Sequence, residues 1–494
     1  MLYYLSNTII HFTTNQQFPI NSFARFPLTI LIFPVEIFSF FFGFYFLYTL
    51  FNGDYVEEKK ELKNKREHAV AILLPVYNEP KDIVKRTLEH VKKIRWPGKI
   101  QIYLLDDSTN EDSKKDMRDL AGKYTTHIVT RLNRDGYKAG NINNAVKNHV
   151  KEDYFVILDS DQAPYPEFLE ETMDYFSNEE VAFVQSPQHF VNDNGPLQKA
   201  AKTGTDIFYR AQAPSKSKDS AIPFCGTNLV VRASVFRKVG GFAYYTATED
   251  IELGIRMNEQ GYRGAYVPKI LARGYAPADF KAYASQQYRW ANGNLAILRE
   301  NFFKLFFGKF PFRYRVHMFF TVGWWLIGIV TLIYMIVPVL SLILGTGTHH
   351  TWLPSYMFGL LFLNVALGIG TISVSLDKRV KGEKIRFRDA LLEYSLIVNT
   401  MFIYTRAAVN ALIFKKYIGF IRTNKKAEKA SLKLIKWNLI LGAFLLILSL
   451  YAFFYAARSS DLFTLRSYLP ISLWLLFYST ILFSSIIFVG GKNE

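Results

Sequence analysis

The chain has 494 residues, of which 50% are hydrophobic and only 20% are charged, and it carries a net charge of +17 and one cysteine. The low charged share and the 43 phenylalanines indicate that part of this length lies in lipid. The basic residues lie mostly beside apolar runs, which favours a membrane surface over nucleic acid as their partner. A single cysteine excludes an intrachain disulfide and a cysteine zinc cluster.

An apolar run at residues 28–51 is long enough to cross a bilayer. No lysine or arginine precedes Arg25 and no small-residue cleavage site follows the run, so we expect a retained anchor and not a cleaved signal peptide. The charged segment 57–67 follows it and contains five lysines and arginines. The positive-inside rule therefore predicts an external N-terminus and a cytoplasmic location for the next residues.

Residues 69–276 alternate short apolar runs with amphipathic polar stretches. This alternation predicts an α/β fold with a parallel, helix-covered sheet, in which ligands bind beyond the carboxyl ends of the strands. The strand-length runs are 70–74, 100–105 and 154–158, and the helix-like stretches between them are 81–94, 111–124 and 139–149.

Polar segments follow all three predicted strands: PVYNEP at 75–80, DDST at 106–109 and DSDQ at 159–162. Each has an ordinary structural explanation, because Asp and Ser are common in turns and helix caps, and Tyr77 could be a core aromatic. Their coincidence at one edge of the sheet nevertheless predicts a ligand site there.

Two later segments also offer useful chemistry. QQYRW at 286–290 places a guanidinium, which matches a diphosphate bidentately, beside an indole, which offers a stacking surface for a sugar ring. The alternative is an amphipathic helix in which Trp290 packs under Phe302 and Phe303. TED at 248–250 is likewise a good N-terminal helix cap.

Taken together, these motifs resemble those of the family-2 inverting glycosyltransferases, and specifically the membrane-embedded branch of cellulose, chitin and hyaluronan synthases. The resemblance covers about residues 70–294. It implies a GT-A (Rossmann-like) α/β catalytic domain joined to an α-helical transmembrane bundle. It also implies that Asp159 and Asp161, as a D-x-D motif, hold a divalent cation, Mg2+ or Mn2+, on the diphosphate of the donor.

The resemblance also implies roles for single residues. Asp250 matches the aspartate of the family's T-E-D motif, which takes the proton of the acceptor hydroxyl. Cys225 is expected to be a packed side chain and not a nucleophile, because no basic partner is evident. The residues implied for the nucleotide are Tyr77, Glu79, Asp106, Lys138 of KAGN, Asp159 and Arg289, and those implied for the acceptor are Cys225 and Gly226 of FCGT, Glu249, Gln286 and Trp290.

The chain becomes apolar after residue 294. Residues 295–315 alternate Phe and Leu with basic residues, which predicts an amphipathic helix on the cytoplasmic face of the membrane. The segments of spanning length that follow are 316–344, 352–376, 434–457 and 467–489.

A further apolar stretch, 390–414, is ambiguous because Glu393 and Arg406 interrupt it. Basic loops flank it at 378–388 and 415–436, and an odd number of crossings between them would leave one loop outside. We therefore expect residues 390–414 to lie in the interface. With the first helix this gives five crossings and a cytoplasmic C-terminus.

The segment FIRTNK at 420–425 resembles the F-x-V-T-x-K gating loop of cellulose synthases, with Arg422 where the family usually has valine. The resemblance implies that Thr423 and Lys425 contact the phosphates of the nucleotide. The alternative is a polybasic loop that faces lipid. The chain stops five residues past the last apolar run, so a fused cyclic-dinucleotide sensor is not expected.

The sequence thus predicts six segments and one leading function. That function is processive, inverting polymerisation of a β-linked polysaccharide, a cellulose-like β-glucan, from a UDP-sugar, by a multi-pass protein of the plasma membrane with a cytoplasmic catalytic domain. The alternatives are transfer of one sugar to a lipid such as diacylglycerol, and a transporter or receptor with an inactive domain, which the intact acids disfavour. The expected partners are the UDP-sugar, a growing polysaccharide or lipid acceptor and membrane lipids, without nucleic acid.

The six predicted segments are an anchor region (1–56), a GT-A domain (57–294), an interfacial helix (295–315), two spans (316–376), an interfacial helix with the gating-like loop (377–433) and two further spans (434–494).

Overall fold

The computed structural model describes residues 21–192, 195–343, 364–366, 368–369, 386–416, 431–460 and 462–489. Its centre is a seven-stranded sheet with the strand order β3-β2-β1-β4-β7-β6-β8, and β5 and β9 form a separate pair. The strands are β1 (Val70–Val76), β2 (Ile100–Asp106), β3 (His127–Thr130), β4 (Tyr154–Ile157), β5 (Ala163–Pro164), β6 (Val181–Gln185), β7 (Leu229–Arg232), β8 (Arg263–Tyr266) and β9 (Ala272–Arg273).

Helices cover both faces of the sheet and continue beyond it as a bundle. The helices of the described residues are α1 (Asn21–Phe51), α2 (Lys81–Val91), α3 (Glu111–Lys123), α4 (Tyr137–Asn148), α5 (Phe168–Thr172), α6 (Pro196–Asp206), α7 (Ala213–Lys218), α8 (Ala233–Val239), α9 (Glu249–Glu259), α10 (Phe280–Phe307), α11 (Phe312–Gly323), α12 (Ile327–Ile343), α13 (Phe387–Asn399), α14 (Met401–Ala408), α15 (Lys436–Arg458), α16 (Leu462–Phe483) and α17 (Ser485–Val489).

The two faces of β1 explain why its sequence is an unbroken apolar run. Side chains alternate along a strand, so Ile72 and Leu74 enter one core cluster while Ala71 and Leu73 enter the opposite one. Both clusters are buried because helices lie on both faces. The predicted α/β fold class is therefore confirmed, and the helix-like stretches correspond to α2, α3 and α4.

The sheet is mixed, which corrects the expectation of a parallel sheet. β1 pairs in parallel with β2 and β4, but β7 is antiparallel to β4 and β6. In this register Ile157 lies opposite Leu229, so the carboxyl end of β4 meets the amino end of β7. The chain enters β7 from the edge at which the parallel strands end, and the turn before β7 therefore joins that edge.

Within the described ranges, four helical segments are long and apolar enough to cross a membrane: Ile30–Phe51, Phe312–Ile343, Lys436–Arg458 and Tyr468–Val489. The pair Phe387–Asn399 and Met401–Ile413 would make a fifth if its 44° bend is counted within one span. The expected span at 352–376 lies almost entirely outside the described residues. The number of crossings and the interfacial placement of 390–414 remain predictions.

The helix that contains QQYRW does not stop at residue 294. α10 runs without a break through most of the expected interfacial segment, and the Asp279 side chain caps its start by accepting a hydrogen bond from the Ala282 N–H at 2.8 Å. Phe303 and Phe307, near its far end, are exposed.

Asp219, just after α7, joins the α/β domain to α1 and α11, which lie in two of the candidate membrane-spanning segments. Its carboxylate accepts hydrogen bonds from the Tyr48 hydroxyl of α1 at 2.6 Å and from His317 Nε2 of α11 at 3.0 Å. Arg313 Nη1 lies 3.3 Å from its other oxygen. The Asp219 side chain is only 5% exposed, so these contacts replace water around a buried charge.

We expect Asp219→Ala to lower the apparent melting temperature of the detergent-solubilised protein by about 4 °C or more, because it leaves half-buried Tyr48 and buried His317 without their shared partner. Asp116→Ala is the matched control, since its ion pair with Lys81 lies on the surface, and it should shift the melting temperature by about 1 °C or less. Equal shifts for the two variants would show that the Asp219 contacts do not hold the domain.

Candidate active site

A cavity opens at the edge of the sheet where β1, β2 and β4 end, and we call it the sheet-edge cavity. The turn before β7, the start of α9 and the middle of α10 complete its wall. The sequence-predicted residues that line it are Tyr77, Glu79, Lys138, Asp159, Asp161, Cys225, Gly226, Glu249, Asp250, Gln286, Arg289 and Trp290. Residues from separate parts of the chain therefore meet in one place.

Lys138 connects two sides of this cavity. Its Nζ donates to Asp159 Oδ1 at 2.5 Å and to the carbonyl oxygen of Gly226 at 3.0 Å. Lys138 reaches this position because Gly136 and Tyr137, with φ of 69° and 48°, turn the chain sharply into α4. A fixed positive charge thus lies at the end of β4.

The two acids of the D-x-D motif line the cavity together. Asp161 is buried, and its Oδ2 accepts a hydrogen bond from the Tyr275 N–H at 3.2 Å. Among the described residues, no group of three or more His, Cys, Asp or Glu side chains is arranged to hold a metal ion. A pair of carboxylates still fits Mg2+ or Mn2+, because such a cation usually takes one or two protein carboxylates and completes its shell with phosphate and water oxygens.

The two aspartates after β2 occupy different positions. Asp106 Oδ1 accepts a hydrogen bond from the Ser108 N–H at 2.9 Å, and Asp106 is not among the residues that line the cavity. Asp107 does line it, and its carboxylate receives Arg131 through two bonds of 2.8 and 2.6 Å. The nucleotide-binding role of Asp106 remains a prediction, and Asp107 is a residue that the motif alone did not single out.

Arg134 is a second residue that sequence reasoning missed. Its guanidinium carbon lies 3.6 Å from the centroid of the Tyr77 ring, which is stacking distance. It lies four residues before Lys138 in a polar loop, so the only signal in the sequence was its proximity to KAGN.

The FCGT turn approaches the T-E-D motif closely. Gly226 has a φ of 71°, and a Cβ at this position would lie 2.8 Å from Asp250 Oδ2. Gln185 holds the turn, because its Oε1 accepts from the Cys225 N–H at 3.0 Å and its Nε2 donates to the Thr227 carbonyl at 2.9 Å. Burial raises the pKa of the Cys225 thiol to about 12, which agrees with a packed cysteine and not with a nucleophile.

The T-E-D segment opens α9 without the side-chain cap that its sequence offers. Thr248 makes no capping hydrogen bond to α9, and Asp250 Oδ1 accepts from the Ile251 N–H at 2.9 Å. Burial raises the pKa of Asp250 and of Glu249, each of which also faces the positive charges of Lys138 and Arg289. Asp250 is therefore a carboxylate that binds a proton more readily than an ordinary aspartate.

The QQYRW segment lies beside T-E-D because α10 packs closely against it. A Cβ at Gly293 would lie within 2.8 Å of Thr248, so only glycine permits this approach. The indole of Trp290 has Trp325 as its aromatic neighbour, with ring centroids 6.5 Å apart. Phe302 instead contacts Phe303 and Phe306, so the alternative packing of Trp290 is wrong.

A second cavity of about 320 Å³ lies between the catalytic domain and the helices, and we call it the aromatic cavity. Asp250, Gln286 and Trp290 line both cavities, which therefore adjoin at these residues. The aromatic residues that line the aromatic cavity include Phe42 and Phe46 of α1, Tyr283 of α10, Phe320 of α11, Tyr404 of α14, and Trp325.

Comparison with known proteins identifies the domain that carries this site. The profile of the glycosyl transferase family group 2 matches residues 154–369, which include Asp159, Asp161, Asp250 and Trp290. The chain carries a family 2 glycosyltransferase domain.

Thr423 and Lys425 of the expected gating loop lie outside the described residues.

Curated relatives of the family 2 domain include synthases of β-linked polysaccharides. The catalytic subunit of cellulose synthase from Xanthomonas axonopodis pv. citri is 33% identical over 239 residues, which cover 47% of this chain and 32% of that protein. The corresponding subunit of cellulose synthase 1 from Komagataeibacter xylinus is 32% identical over 238 residues, covering 47% and 31%. The probable glucomannan 4-beta-mannosyltransferase 11 of Arabidopsis thaliana is 30% identical over 256 residues, covering 50% and 58%. The match spans about a third of each bacterial relative.

The architecture also resembles a solved glycosyltransferase. The mannosyltransferase PcManGT from Pyrobaculum calidifontis, in complex with GDP-Man and Mn2+, aligns with a TM-score of 0.50 at 15% identity, covering 81% of this chain and all of that one. At this identity the likeness concerns the fold alone. It confirms the predicted GT-A class of the family 2 domain.

Proposed function

We propose that this protein is a membrane-embedded inverting glycosyltransferase that builds a β-linked polysaccharide from a UDP-sugar. The observation that supports it most is the junction of the two cavities at Asp250 and Trp290. The sheet-edge cavity is polar and charged, as a nucleotide requires, and the aromatic cavity can receive a sugar chain. A donor and an acceptor in these cavities would meet at Asp250.

The donor would occupy the sheet-edge cavity. Lys138 and Arg289 supply positive charge for the diphosphate, and the planar guanidinium of Arg289 can bind two phosphate oxygens at once. Asp159 and Asp161 would hold a divalent cation there, and Mn2+ accompanies the nucleotide sugar in the archaeal structure of similar fold. Such a cation neutralises the charge that grows on the departing diphosphate.

Asp250 would act as the base. The acceptor hydroxyl oxygen attacks the anomeric carbon of the donor, the bond to the diphosphate breaks on the opposite face, and the hydroxyl proton passes to Asp250. The Ile251 N–H fixes Oδ1 at 2.9 Å, and Gly226 leaves room around Oδ2. The raised pKa of Asp250 brings its basicity closer to neutral pH, at which proton acceptance is more effective.

The acceptor would lie on Trp290 and extend into the aromatic cavity. Aromatic faces stack well against the apolar faces of sugar rings, and the cavity carries such faces from α1, α10, α11 and α14. The same apolar lining also fits an acyl chain, which supports the second candidate, transfer of a single sugar to a lipid such as diacylglycerol. We favour the polymer because polar Gln286 and Glu393 interrupt this lining.

The membrane arrangement belongs to the same proposal. The catalytic domain would face the cytosol at the plasma membrane, where nucleotide sugars are found, and the helices would guide the product across. We propose the same six segments, from the anchor region at 1–56 to the last two spans at 434–494, as the domain boundaries of the protein. Thr423 and Lys425 are proposed to contact the donor phosphates.

Membranes containing the protein, given labelled UDP-glucose, UDP-N-acetylglucosamine or GDP-mannose, test the proposed function. We expect label from a UDP-sugar in an insoluble product that a β-glycosidase degrades. Label that enters chloroform would instead establish the lipid enzyme, and incorporation from GDP-mannose alone would overturn the choice of nucleotide. Membranes without the protein provide the background.

We expect Asp250→Asn to lower sugar transfer by about 100-fold or more, because the amide cannot accept the hydroxyl proton. UDP affinity, measured by calorimetry, should stay at the wild-type value, since the change removes no predicted phosphate contact. Glu259→Gln at the end of the same helix is the control, because Glu259 lies in a surface ion pair with Lys304, and it should keep wild-type transfer. Parallel losses of transfer and UDP affinity would contradict the base assignment.

The raised pKa of Asp250 predicts an unusual pH profile. The charged, proton-accepting form is fully present above this pKa and is lost as the pH falls through it. We therefore expect the acid limb of kcat/KM to have its midpoint clearly above ~4, the value for an ordinary aspartate. Initial rates measured across the pH range, with UDP affinity measured in parallel, provide the check. A midpoint at or below ~4 would be inconsistent with a buried base.

A further inference from the structure

We propose that Glu393 selects the acceptor, by accepting hydrogen bonds from the hydroxyl groups of a neutral glycan in the aromatic cavity. This inference rests on the proposed function and names the class of acceptor. It predicts that the enzyme prefers a polyhydroxylated chain over an acyl lipid.

The packing of α13 on α6 places Glu393 at the cavity. Gly204 of α6 faces it so closely that a Cβ there would lie 3.3 Å from Glu393 Oε1. Both residues line the aromatic cavity, together with Tyr283 and Gln286. The glycine thus leaves the space that the carboxylate occupies.

Within the part of the chain that the structure describes, Glu393 forms no hydrogen bond and no ion pair. Lys216 lines the same cavity, but its Nζ donates to Thr321 Oγ1 at 2.5 Å and lies 5.3 Å from the centroid of the Phe208 ring. A carboxylate among apolar side chains is costly without a partner, and an ionisable residue between membrane helices usually serves a function. Hydroxyl donors of a ligand would compensate for that cost.

The helix that carries Glu393 is fixed in place. Asn438 of α15 donates to Asn399 Oδ1 at 2.8 Å, and Asn399 donates to the Ile481 carbonyl of α16 at 2.9 Å. One turn earlier, the Ser395 and Ser484 hydroxyls are 2.5 Å apart. These contacts fix α13 against α15 and α16. The helix that carries the Glu393 carboxylate is therefore positioned before a ligand binds.

The combination of a carboxylate and aromatic rings is selective for a neutral sugar. The two carboxylate oxygens can accept from adjacent ring hydroxyls, while the aromatic side chains cover the apolar faces of the ring. An acyl chain has no hydroxyl hydrogen to donate, so it gains nothing from Glu393. The residue therefore distinguishes the two candidate acceptors.

The test uses the purified full-length protein in lipid nanodiscs, with the donor sugar that the wild type uses. Two acceptors are compared: cellotetraose as the neutral glycan and dioleoylglycerol as the lipid. The variants are Glu393→Leu, which removes the acceptor oxygens, and Glu393→Gln, which keeps one oxygen and loses the charge. Glu300→Gln is the control, because Glu300 is an exposed glutamate of α10 paired with Arg299. Donor hydrolysis and UDP affinity are measured for every variant.

We expect Glu393→Leu to reduce transfer to cellotetraose by about tenfold or more, with a smaller loss for Glu393→Gln, while donor hydrolysis and UDP affinity stay at wild-type values. Wild-type use of cellotetraose by Glu393→Leu, or an equal loss of transfer and donor hydrolysis in both variants, would overturn the inference while leaving the proposed function intact. A wild type that transfers only to dioleoylglycerol would overturn it as well. A wild type that uses no nucleotide sugar would refute the proposed function itself.

Discussion

The site depends on one close approach, between the turn at Gly226 and the carboxylate of Asp250. No side chain fits between them, because a Cβ at Gly226 would already lie 2.8 Å from Asp250 Oδ2. In the same turn the Gly226 carbonyl accepts the second hydrogen bond of Lys138, and Thr227 Oγ1 accepts a hydrogen bond from the Asp159 N–H at 2.9 Å. The antiparallel entry of the chain into β7 thereby brings the two ends of the proposed reaction together, the phosphate side at Lys138 and the proton acceptor at Asp250.

The domain and the helices share their cavity walls, so neither forms the aromatic cavity alone. α1 and α11 supply Phe42 and Phe320 to it, while the catalytic domain supplies Asp250. The contacts of Asp219 with Tyr48 and His317 hold these same elements together at the domain surface. Packing between the domain and the helices is therefore a condition for the aromatic cavity and not only for stability.

The sequence predicted the local parts of this structure well. Unbroken apolar runs identified β1, β2 and β4, since strands buried on both faces leave no alternation to read. The polar residues after those runs did gather at one edge. The direction of β7 was not predictable in the same way, because strand pairing depends on where distant segments return and not on composition. The sequence also could not show which of Asp106 and Asp107 lines the cavity, because the two residues are adjacent at the end of β2.

Long-range contacts were equally hidden. Tyr48 and Asp219 are 171 positions apart, and no periodicity links them. Glu393 was visible only as an interruption in an apolar stretch, and that interruption gained meaning from the packing of α13 on α6. Arg134 lay in a polar loop without any pattern. In each case the missing information was the position of a second element, which single-sequence spacing does not contain.

The uninterrupted course of α10 gives the protein a rigid rod between Trp290 and the exposed phenylalanines at its far end. Seventeen residues separate Trp290 from Phe307, which corresponds to about 25 Å of helix. A rod of this length converts a small tilt at the lipid-facing end into a sideways displacement of the indole. Under the proposed function, the lipid around Phe303 and Phe307 would therefore influence where the acceptor sugar lies on Trp290.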